Sequence, residues 1–173
     1  MLTAYAAICA EEIGVPLSEV TVDPPDTDIA PFGLGTWGDR GTFIGGSAVK
    51  LAAADAKKQI LEMAAEMLEA NPSDLDCKEG KVFVRGSPRK FLPFEEVAGA
   101  AVYRRGGSPV LGQGTFIPAS ELADSTRYGN ISGTYAFGAQ AAEVEVNEET
   151  GEVRVLQIAA ANDVGRPLNL STA

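Results

Sequence analysis

A glycine-rich loop followed at once by a helical pattern is the part of this sequence whose residue types could bind a ligand. Six glycines fall within the fourteen residues 33–46. Residues 47–70 contain neither glycine nor proline, and apolar side chains recur there at steps of three and four. That spacing is typical of an amphipathic helix, and its apolar positions are Val49, Ala53, Ala56, Ile60, Met63 and Met67.

The chemistry available at such a junction is anion binding. The first N–H groups of a helix have no partner within it, and the peptide dipoles add roughly half a positive charge there. Glycines let the preceding backbone adopt positive φ and approach a ligand closely. Arg40 could add a fork of donors, and Ser47 could cap the helix or donate to the anion. The pattern predicts a phosphate-binding loop, with a tightly packed turn that binds nothing as the alternative.

The loop matches neither of two familiar nucleotide-binding motifs. The spacing Gly-x-x-x-x-Gly-Lys-Ser/Thr is absent, and no clear hydrophobic strand leads directly into the loop. A P-loop and a Rossmann fingerprint are therefore both excluded.

Composition narrows the function further. The chain has 173 residues, which is enough for one domain or two small lobes. Its formal net charge of −10 disfavours nucleic acid as a partner. We find no apolar run long enough to span a membrane and no pattern of a signal peptide.

The residue types also exclude several kinds of catalytic and metal site. The chain contains no histidine, which excludes Ser-His-Asp and Cys-His catalysis and any histidine-ligated metal within it. Two cysteines are too few for a structural zinc site or an iron–sulfur cluster. Cys9 and Cys77 are interpreted as core residues of a protein in a reducing compartment, and the cytoplasm is the expected location.

The loop must be positioned by the rest of the chain, whose sequence patterns predict an α+β fold with a mixed sheet, one long amphipathic helix and one long β-hairpin. Besides the long helix, the patterns predict helices over residues 2–13 and 93–102, strands over 17–22 and 110–117, and hairpins pairing 75–78 with 81–85 and 134–146 with 152–161. We expect Glu79-Gly80 to form the first hairpin turn.

Side-chain matching predicts the register of the long hairpin. Pairing Val146 with Val153 and Val144 with Val155 places the valines on one face, and it sets Glu145 opposite Arg154.

Two polar loops admit a binding interpretation and a simpler one. Residues 23–28 carry three aspartates and two prolines, but EF-hand spacing is absent, so we favour a solvated loop over a cation site. Residues 104–109 begin with two arginines that could hold an anion, and a surface loop is favoured there too.

Four stretches resemble the large, molybdopterin-binding subunit of the xanthine dehydrogenase and aldehyde oxidase family, and they occur in that family's order. They are Glu11-Glu12-Ile13-Gly14-Val15-Pro16 with Asp26-Thr27-Asp28; Gly35-Thr36-Trp37-Gly38-Asp39-Arg40-Gly41-Thr42 with Gly45-Gly46-Ser47-Ala48-Val49; Gly138-Ala139-Gln140-Ala141-Ala142-Glu143-Val144-Glu145-Val146 with Thr150-Gly151; and Asp163-Val164-Gly165-Arg166-Pro167-Leu168-Asn169.

The resemblance implies that the glycine-rich loop binds the phosphate or pyrophosphate of molybdopterin. By position, the cofactor contacts would be Trp37, Gly38, Asp39, Arg40, Gly41 and Thr42. The implied reaction is hydroxylation of an aldehyde or an N-heterocycle, with electrons leaving through iron–sulfur and flavin subunits or domains. The cofactor's own dithiolene would hold the molybdenum, so no metal ligand is expected from this chain.

Three departures from the family pattern shape these expectations. The family often has Ser where this chain has Asp39, whose carboxylate would repel a phosphate unless it turned away or paired with Arg40. The family's Gly-Gln-Gly segment would precede Leu2, and Gly112-Gln113-Gly114 lies in the wrong place to replace it. The family's catalytic glutamate would follow Ala173, so no catalytic residue is assigned.

We therefore expect residues 1–173 to form a single partial molybdopterin-binding domain, a fragment of a larger subunit. It is expected to be inactive alone, without bound cofactor, and to self-associate through apolar surface. The alternatives are a non-catalytic anion- or nucleotide-binding module and a structural interaction module.

Overall fold

Helices and strands follow one another in an α+β order. A computed structural model describes residues 2–24, 26–28, 30, 32–38, 40–121, 123–130 and 132–169. The α-helices are α1 (Leu2–Ile13), α2 (Gly46–Leu68) and α3 (Phe94–Arg104), and the strands are β1 (Leu75–Lys78), β2 (Lys81–Val84), β3 (Ser87–Pro93), β4 (Phe137–Val146) and β5 (Val153–Asp163). A π-helical turn covers Gly41–Gly45, and short 3-10 helices cover Leu17–Glu19 and Pro72–Asp74.

The chain divides into two compact units, Met1–Ala119 and Ser120–Ala173. The first unit contains the three α-helices and an antiparallel sheet of order β1-β2-β3, and the second contains the antiparallel pair β4-β5. The predicted α+β class, long helix and long hairpin are confirmed, and the hairpin forms a sheet of its own.

The core of the first unit lies between α2, α3 and the three-stranded sheet. Ile60 and Met63 of the stripe predicted for α2 lie in this core. Ala64, Ala65 and Leu68 of the same helix join them, and the cluster is completed by Leu75, Cys77, Val82, Val97 and Ala101. The helix ends at Leu68 because Glu69 adopts a left-handed φ of 47°. This core fixes the C-terminal half of α2 and leaves its N-terminal half to be positioned by α1 and by loops.

The first hairpin follows its predicted turn. Glu79 and Gly80 both have positive φ, 53° and 71°, as a two-residue turn of the mirror-image type requires. The register pairs Leu75 with Val84 and Cys77 with Val82. Leu75, Cys77 and Val82 consequently face the core, where each is less than 5% exposed.

The register predicted for the long hairpin is confirmed. Val146 pairs with Val153, Val144 pairs with Val155, and Glu145 lies opposite Arg154. The Glu145 carboxylate and the Arg154 guanidinium are 3.7 Å apart, and both side chains are well exposed.

A bulge in β5 keeps the apolar residues of the long hairpin on one face. The register shifts between Glu143 and Val144, so that Ile158 lies opposite Ala142. Without this shift, strict alternation from Val155 would place Ile158 on the opposite face, which carries Glu145 and Arg154. The result is an apolar face, defined by Val144, Val146, Val153, Val155 and Ile158, whose members are all between 45% and 63% exposed.

Two predicted strands are wrong. Residues 17–22 instead begin with the 3-10 helix Leu17–Glu19, in which the Glu19 N–H donates to the Pro16 carbonyl. Residues 110–117 form no strand either, because their hydrogen bonds go to side chains of α2 rather than to a neighbouring strand. Among the described residues, no helix is long and apolar enough to cross a bilayer.

The two cysteines are both free, and burial raises the pKa of each thiol. Cys9 is half-buried on α1, whereas Cys77 is buried in β1. The Cys77 thiol donates a hydrogen bond to the Gly14 carbonyl at 3.5 Å. Because only the thiol can make this bond, the folded chain favours the protonated form of Cys77.

Raising the pH above 9 should destabilise the fold through Cys77. Burial raises the pKa of this thiol from 9.0 to about 11. The stability that this shift contributes is fully present below pH 9 and is lost as the pH rises through about 11, since the unfolded chain loses its proton first. A difference of two pKa units corresponds to about 2–3 kcal/mol.

Urea unfolding of the wild type and of Cys77→Ala at a series of pH values measures this contribution. The wild type should lose more unfolding free energy than Cys77→Ala above pH 9, and Cys9→Ala, which keeps Cys77, should still show the loss that Cys77 causes. Parallel pH profiles for the wild type and Cys77→Ala would show that Cys77 does not titrate in this way.

Candidate functional site

The first part of the glycine-rich loop is open on its outer side. Residues 33–38 are all exposed. Gly35 and Gly38 have positive φ, 80° and 53°, and a Cβ added to either would meet nothing within 4 Å. The backbone of residues 33–38 is therefore exposed.

The second part of the loop is itself helical. The π-turn Gly41–Gly45 runs directly into α2, and Gly45 has helical φ and ψ of −64° and −45°. Ser47 therefore lies inside the helix, and its predicted role as the helix cap is wrong. Glycine composition indicates a loop, but this segment is helical. Its residues are glycine because α1 packs on the turn too closely for side chains.

Two residues of α1 make that close contact. The Tyr5 hydroxyl donates a hydrogen bond to the Gly41 carbonyl at 3.1 Å. A Cβ on Gly45 would collide with the same hydroxyl, and a Cβ on Gly46 would lie 2.8 Å from Cδ1 of Ile8. Two successive glycines thus allow α1 to lie against the turn.

Arg40 stands directly before the π-turn. Arg40 occupies the N-cap position with helical φ and ψ, and within the described chain no side chain makes a capping hydrogen bond there. Its own N–H donates to the Trp37 carbonyl at 3.2 Å. The first N–H groups of a helix in general lack partners within it, which makes this end the candidate for anion binding. Thr42 is exposed beside it, whereas Gly41 is buried.

Arg40 and Trp37 form a cation–π pair next to this end. The Arg40 guanidinium carbon lies 5.6 Å from the centroid of the Trp37 ring, and the Trp37 indole N–H donates to the Leu34 carbonyl at 2.9 Å. The Arg40 Nε is buried and has no hydrogen-bond partner among the described residues. A buried donor without an acceptor costs free energy, so this atom is suited to an external anion.

The described members of the predicted contact set lie close together. Trp37 and Arg40 stack on each other, Gly38 has a positive φ, and Gly41 and Thr42 begin the turn itself. Asp39 lies outside the described residues. Sequence reasoning missed Tyr5, because a tyrosine on the apolar face of a helix carries no signal of a contact 36 residues away.

Residues 110–117, here called the strap, hold the N-terminal half of α2 from another direction. The Gln59 side chain donates to the Leu111 carbonyl at 2.7 Å, and the Gln113 N–H donates to the Asp55 carboxylate at 3.1 Å. At its far end the Phe116 ring packs edge to face against Phe43 of the π-turn, with ring centroids 5.4 Å apart.

The glycines of Gly112-Gln113-Gly114 have a packing role in the strap. A Cβ on Gly112 would collide with the Ala52 carbonyl, and a Cβ on Gly114 would collide with the Ala52 N–H group and the Ala48 carbonyl. The backbone of the strap therefore lies directly on the backbone of α2, which only glycine permits.

Polar side chains of the two loops, residues 23–28 and 104–109, make hydrogen bonds and ion pairs within the protein. Arg104 pairs with Glu66 at 3.0 Å, and Arg105 donates to Gln59 at 2.7 Å, so both arginines are held against α2. The Asp26 carboxylate accepts the Asp28 N–H at 2.9 Å in a local turn. The described part of the chain contains no cluster of three or more acidic or cysteine side chains that could hold a metal ion.

Comparison with known proteins gives concordant matches over nearly the whole chain. The profile described as a molybdopterin cofactor-binding domain matches residues 1–173. The chain is 34% identical to the carbon monoxide dehydrogenase large chain of Hydrogenophaga pseudoflava over 167 residues, which cover 96% of this chain and 20% of that protein. It is 29% identical to the 6-hydroxypseudooxynicotine dehydrogenase complex subunit gamma of Paenarthrobacter nicotinovorans, with the same coverage.

Solved structures agree with these matches. The crystal structure of quinoline 2-oxidoreductase from Pseudomonas putida 86 has a TM-score of 0.73 at 29% identity, over 95% of this chain and 20% of that one. A Cu,Mo-CO dehydrogenase structure has a TM-score of 0.72 at 30% identity, over 98% of this chain and 20% of that one. The chain therefore spans about one fifth of the length of these relatives.

Replacing Gly114 by Ala should destabilise the first unit through the strap. The added Cβ collides with backbone atoms of α2, and overpacking of this kind costs about 1–3 kcal/mol. Gly99→Ala in α3 is the matched control, because a Cβ there meets nothing within 4 Å. Alanine is the better helix former, so the control should stabilise by up to about 1 kcal/mol.

Urea unfolding of both variants measures the difference. If Gly114→Ala were as stable as the wild type, the strap would not lie on α2 as closely as the structure shows.

Proposed function

The chain belongs to the molybdopterin cofactor-binding domain family, and from this premise we propose that its glycine-rich loop binds the phosphate end of molybdopterin. The resemblance read from the four sequence stretches is confirmed by the family match. The observation that carries the proposal is the buried Nε of Arg40 at the start of the π-turn, which has no hydrogen-bond partner among the described residues.

The donors present suit an anion rather than a metal. The guanidinium of Arg40 and the N–H groups at the start of the turn would hold phosphate oxygens, with Gly41 and Thr42 supplying the backbone. Trp37 would keep the guanidinium in place by stacking, and Gly38 would let the backbone approach. We include Asp39 in the contact set by its position in the sequence alone.

Bound molybdopterin would supply the redox-active metal through its own dithiolene, which explains why this chain needs no histidine or cysteine ligands. The chain's own contribution is to bind and orient the phosphate end of the cofactor.

We further propose that the chain acts as one part of a molybdenum hydroxylase of the xanthine dehydrogenase and aldehyde oxidase type. Its relatives are about five times longer, and their names describe a large chain and a subunit of a complex. Iron–sulfur and flavin subunits or domains would then be its partners, and hydroxylation would need residues from the rest of such a subunit. The 173 residues alone should retain cofactor weakly and catalyse no turnover.

Arg40→Gln should weaken anion binding by about tenfold or more. A hydrogen bond to a charged group contributes about 1.5–3 kcal/mol, and the substitution removes both the charge and the fork of donors. Trp37 is the only tryptophan in the chain and stacks on Arg40, so its fluorescence reports directly on this site. The measurement is a titration of the isolated chain with inorganic pyrophosphate at fixed ionic strength.

Arg89→Gln is the matched control for this titration. Arg89 is an exposed residue of β3, so the variant makes the same change of net charge away from the loop. Equal losses of affinity in Arg40→Gln and Arg89→Gln would indicate a general charge effect and would contradict the proposed site.

We also propose that the apolar face of the long hairpin mediates self-association of the isolated chain. A two-stranded hairpin is marginal in water, and this one exposes valine and isoleucine side chains along one face. A second copy could cover that face symmetrically, with the same residues contributed by both copies.

Val155→Lys should therefore shift the isolated chain toward monomer, because the charge would have to be buried between the two copies. Gln157→Lys is the control, since it adds the same charge to the same strand on the face of Glu143. Sedimentation velocity over a range of concentrations measures both variants. A wild-type chain that stayed monomeric throughout would contradict self-association.

A further inference from the structure

We propose that Tyr5 is a positioning residue for the cofactor site: its hydroxyl, which donates to the Gly41 carbonyl, sets the orientation of the π-turn beside Arg40. The proposal rests on the proposed function, and it assigns a role to a residue of α1 that lies outside the glycine-rich loop.

The Gly41 carbonyl accepts two hydrogen bonds, and one of them comes from Tyr5. This oxygen accepts the N–H of Gly46, five residues on, and also the Tyr5 hydroxyl. In a regular α-helix it would accept the N–H of Gly45, four residues on. Tyr5 therefore binds the very carbonyl whose acceptor role distinguishes the π-turn from an α-turn. Single π-turns of this kind are uncommon and occur frequently at functional sites.

The Tyr5 side chain also fills the space beside Gly45. The Tyr5 hydroxyl occupies the position that a Cβ of residue 45 would fill, and the nearest ring carbon of Tyr5 would be 2.9 Å from that Cβ. The ring thus needs glycine at this position in order to reach the Gly41 carbonyl. Ile8, one turn further along α1, packs in the same way on Gly46. The turn is consequently shaped by α1 and not by its own sequence alone.

The consequence for binding is directional. Each residue of a helix turns the backbone by about 100°, so a change from π to α hydrogen bonding reorients the N–H groups of the first turn. Arg40 precedes Gly41 directly, so its stack on Trp37 would move with the turn. Loss of the Tyr5 hydroxyl should therefore reduce anion affinity without removing any group that touches the anion.

Tyr5→Phe is the variant that tests this, since it keeps the ring in α1 and removes only the hydroxyl. We expect changed NMR amide shifts and faster amide exchange at Gly45 and Gly46 in the free chain. We also expect pyrophosphate affinity, read from Trp37 fluorescence, to fall by about three- to tenfold, as the loss of one hydrogen bond would give. Tyr103→Phe is the matched control, because Tyr103 lies on α3 and is 86% exposed.

A double-mutant cycle with Gly45→Ala separates positioning from general destabilisation. The added Cβ already displaces the Tyr5 hydroxyl, so Tyr5→Phe should have little further effect on affinity in that background. Additive losses would overturn the proposal. So would a Tyr5→Phe chain with lowered thermal stability but unchanged amide shifts and unchanged pyrophosphate affinity, which would indicate a purely structural role.

Failure of the proposed function gives a different result from failure of this inference. If the wild type binds pyrophosphate and Tyr5→Phe binds it equally well, the role of Tyr5 is overturned and the site stands. If the wild type does not bind, the site itself is overturned, and the positioning role with it.

Discussion

Close approach of neighbouring segments to the chain at glycine positions is the constraint on which the first unit depends. On one side of the N-terminal half of α2, Gly45 and Gly46 admit Tyr5 and Ile8 of α1. On another side, the strap lies on the α2 backbone through Gly112 and Gly114. These contacts replace the side-chain core that holds the other half of the helix. Because interiors are close-packed, an added methyl group at Gly112 or Gly114 would have to move backbone, whereas one at Gly45 or Gly46 would displace the side chain of Tyr5 or Ile8.

The same constraint explains how a site can form on glycines without being flexible throughout. Gly35 and Gly38 have open surroundings and positive φ, so they give the loop its exposed backbone. Gly45 and Gly46 have helical φ and no free space, so they give the turn its fixed position. Glycine therefore has two opposite roles within one stretch, and only its neighbours in space decide which role applies.

This double role limits what the sequence could predict. The stripe of α2, the Glu79-Gly80 turn and the valine register of the long hairpin depend on local periodicity or on near neighbours, and all three were predicted correctly. The start of the helix was placed at Ser47 because glycine was taken as loop, whereas the helical turn begins at Gly41. Residues 110–117 were predicted to be a strand. They form none because their hydrogen bonds go to Asp55 and Gln59, more than 50 residues away in the sequence. The loop residues of the proposed site come from the sequence, whereas Tyr5 comes from the structure alone.

An acidic chain can still present a site for an anion, because distance decides which charges matter. The net charge of −10 is spread over the surface, and at physiological ionic strength charges more than about 8 Å away are largely screened. The donors at the π-turn act within hydrogen-bond distance, where screening is weak. The distant carboxylates should slow the approach of an anion more than they reduce its affinity, since long-range fields act mainly on association rates. Affinity is then governed by the geometry of the first turn and of Arg40, and so by the helix and strap that hold them.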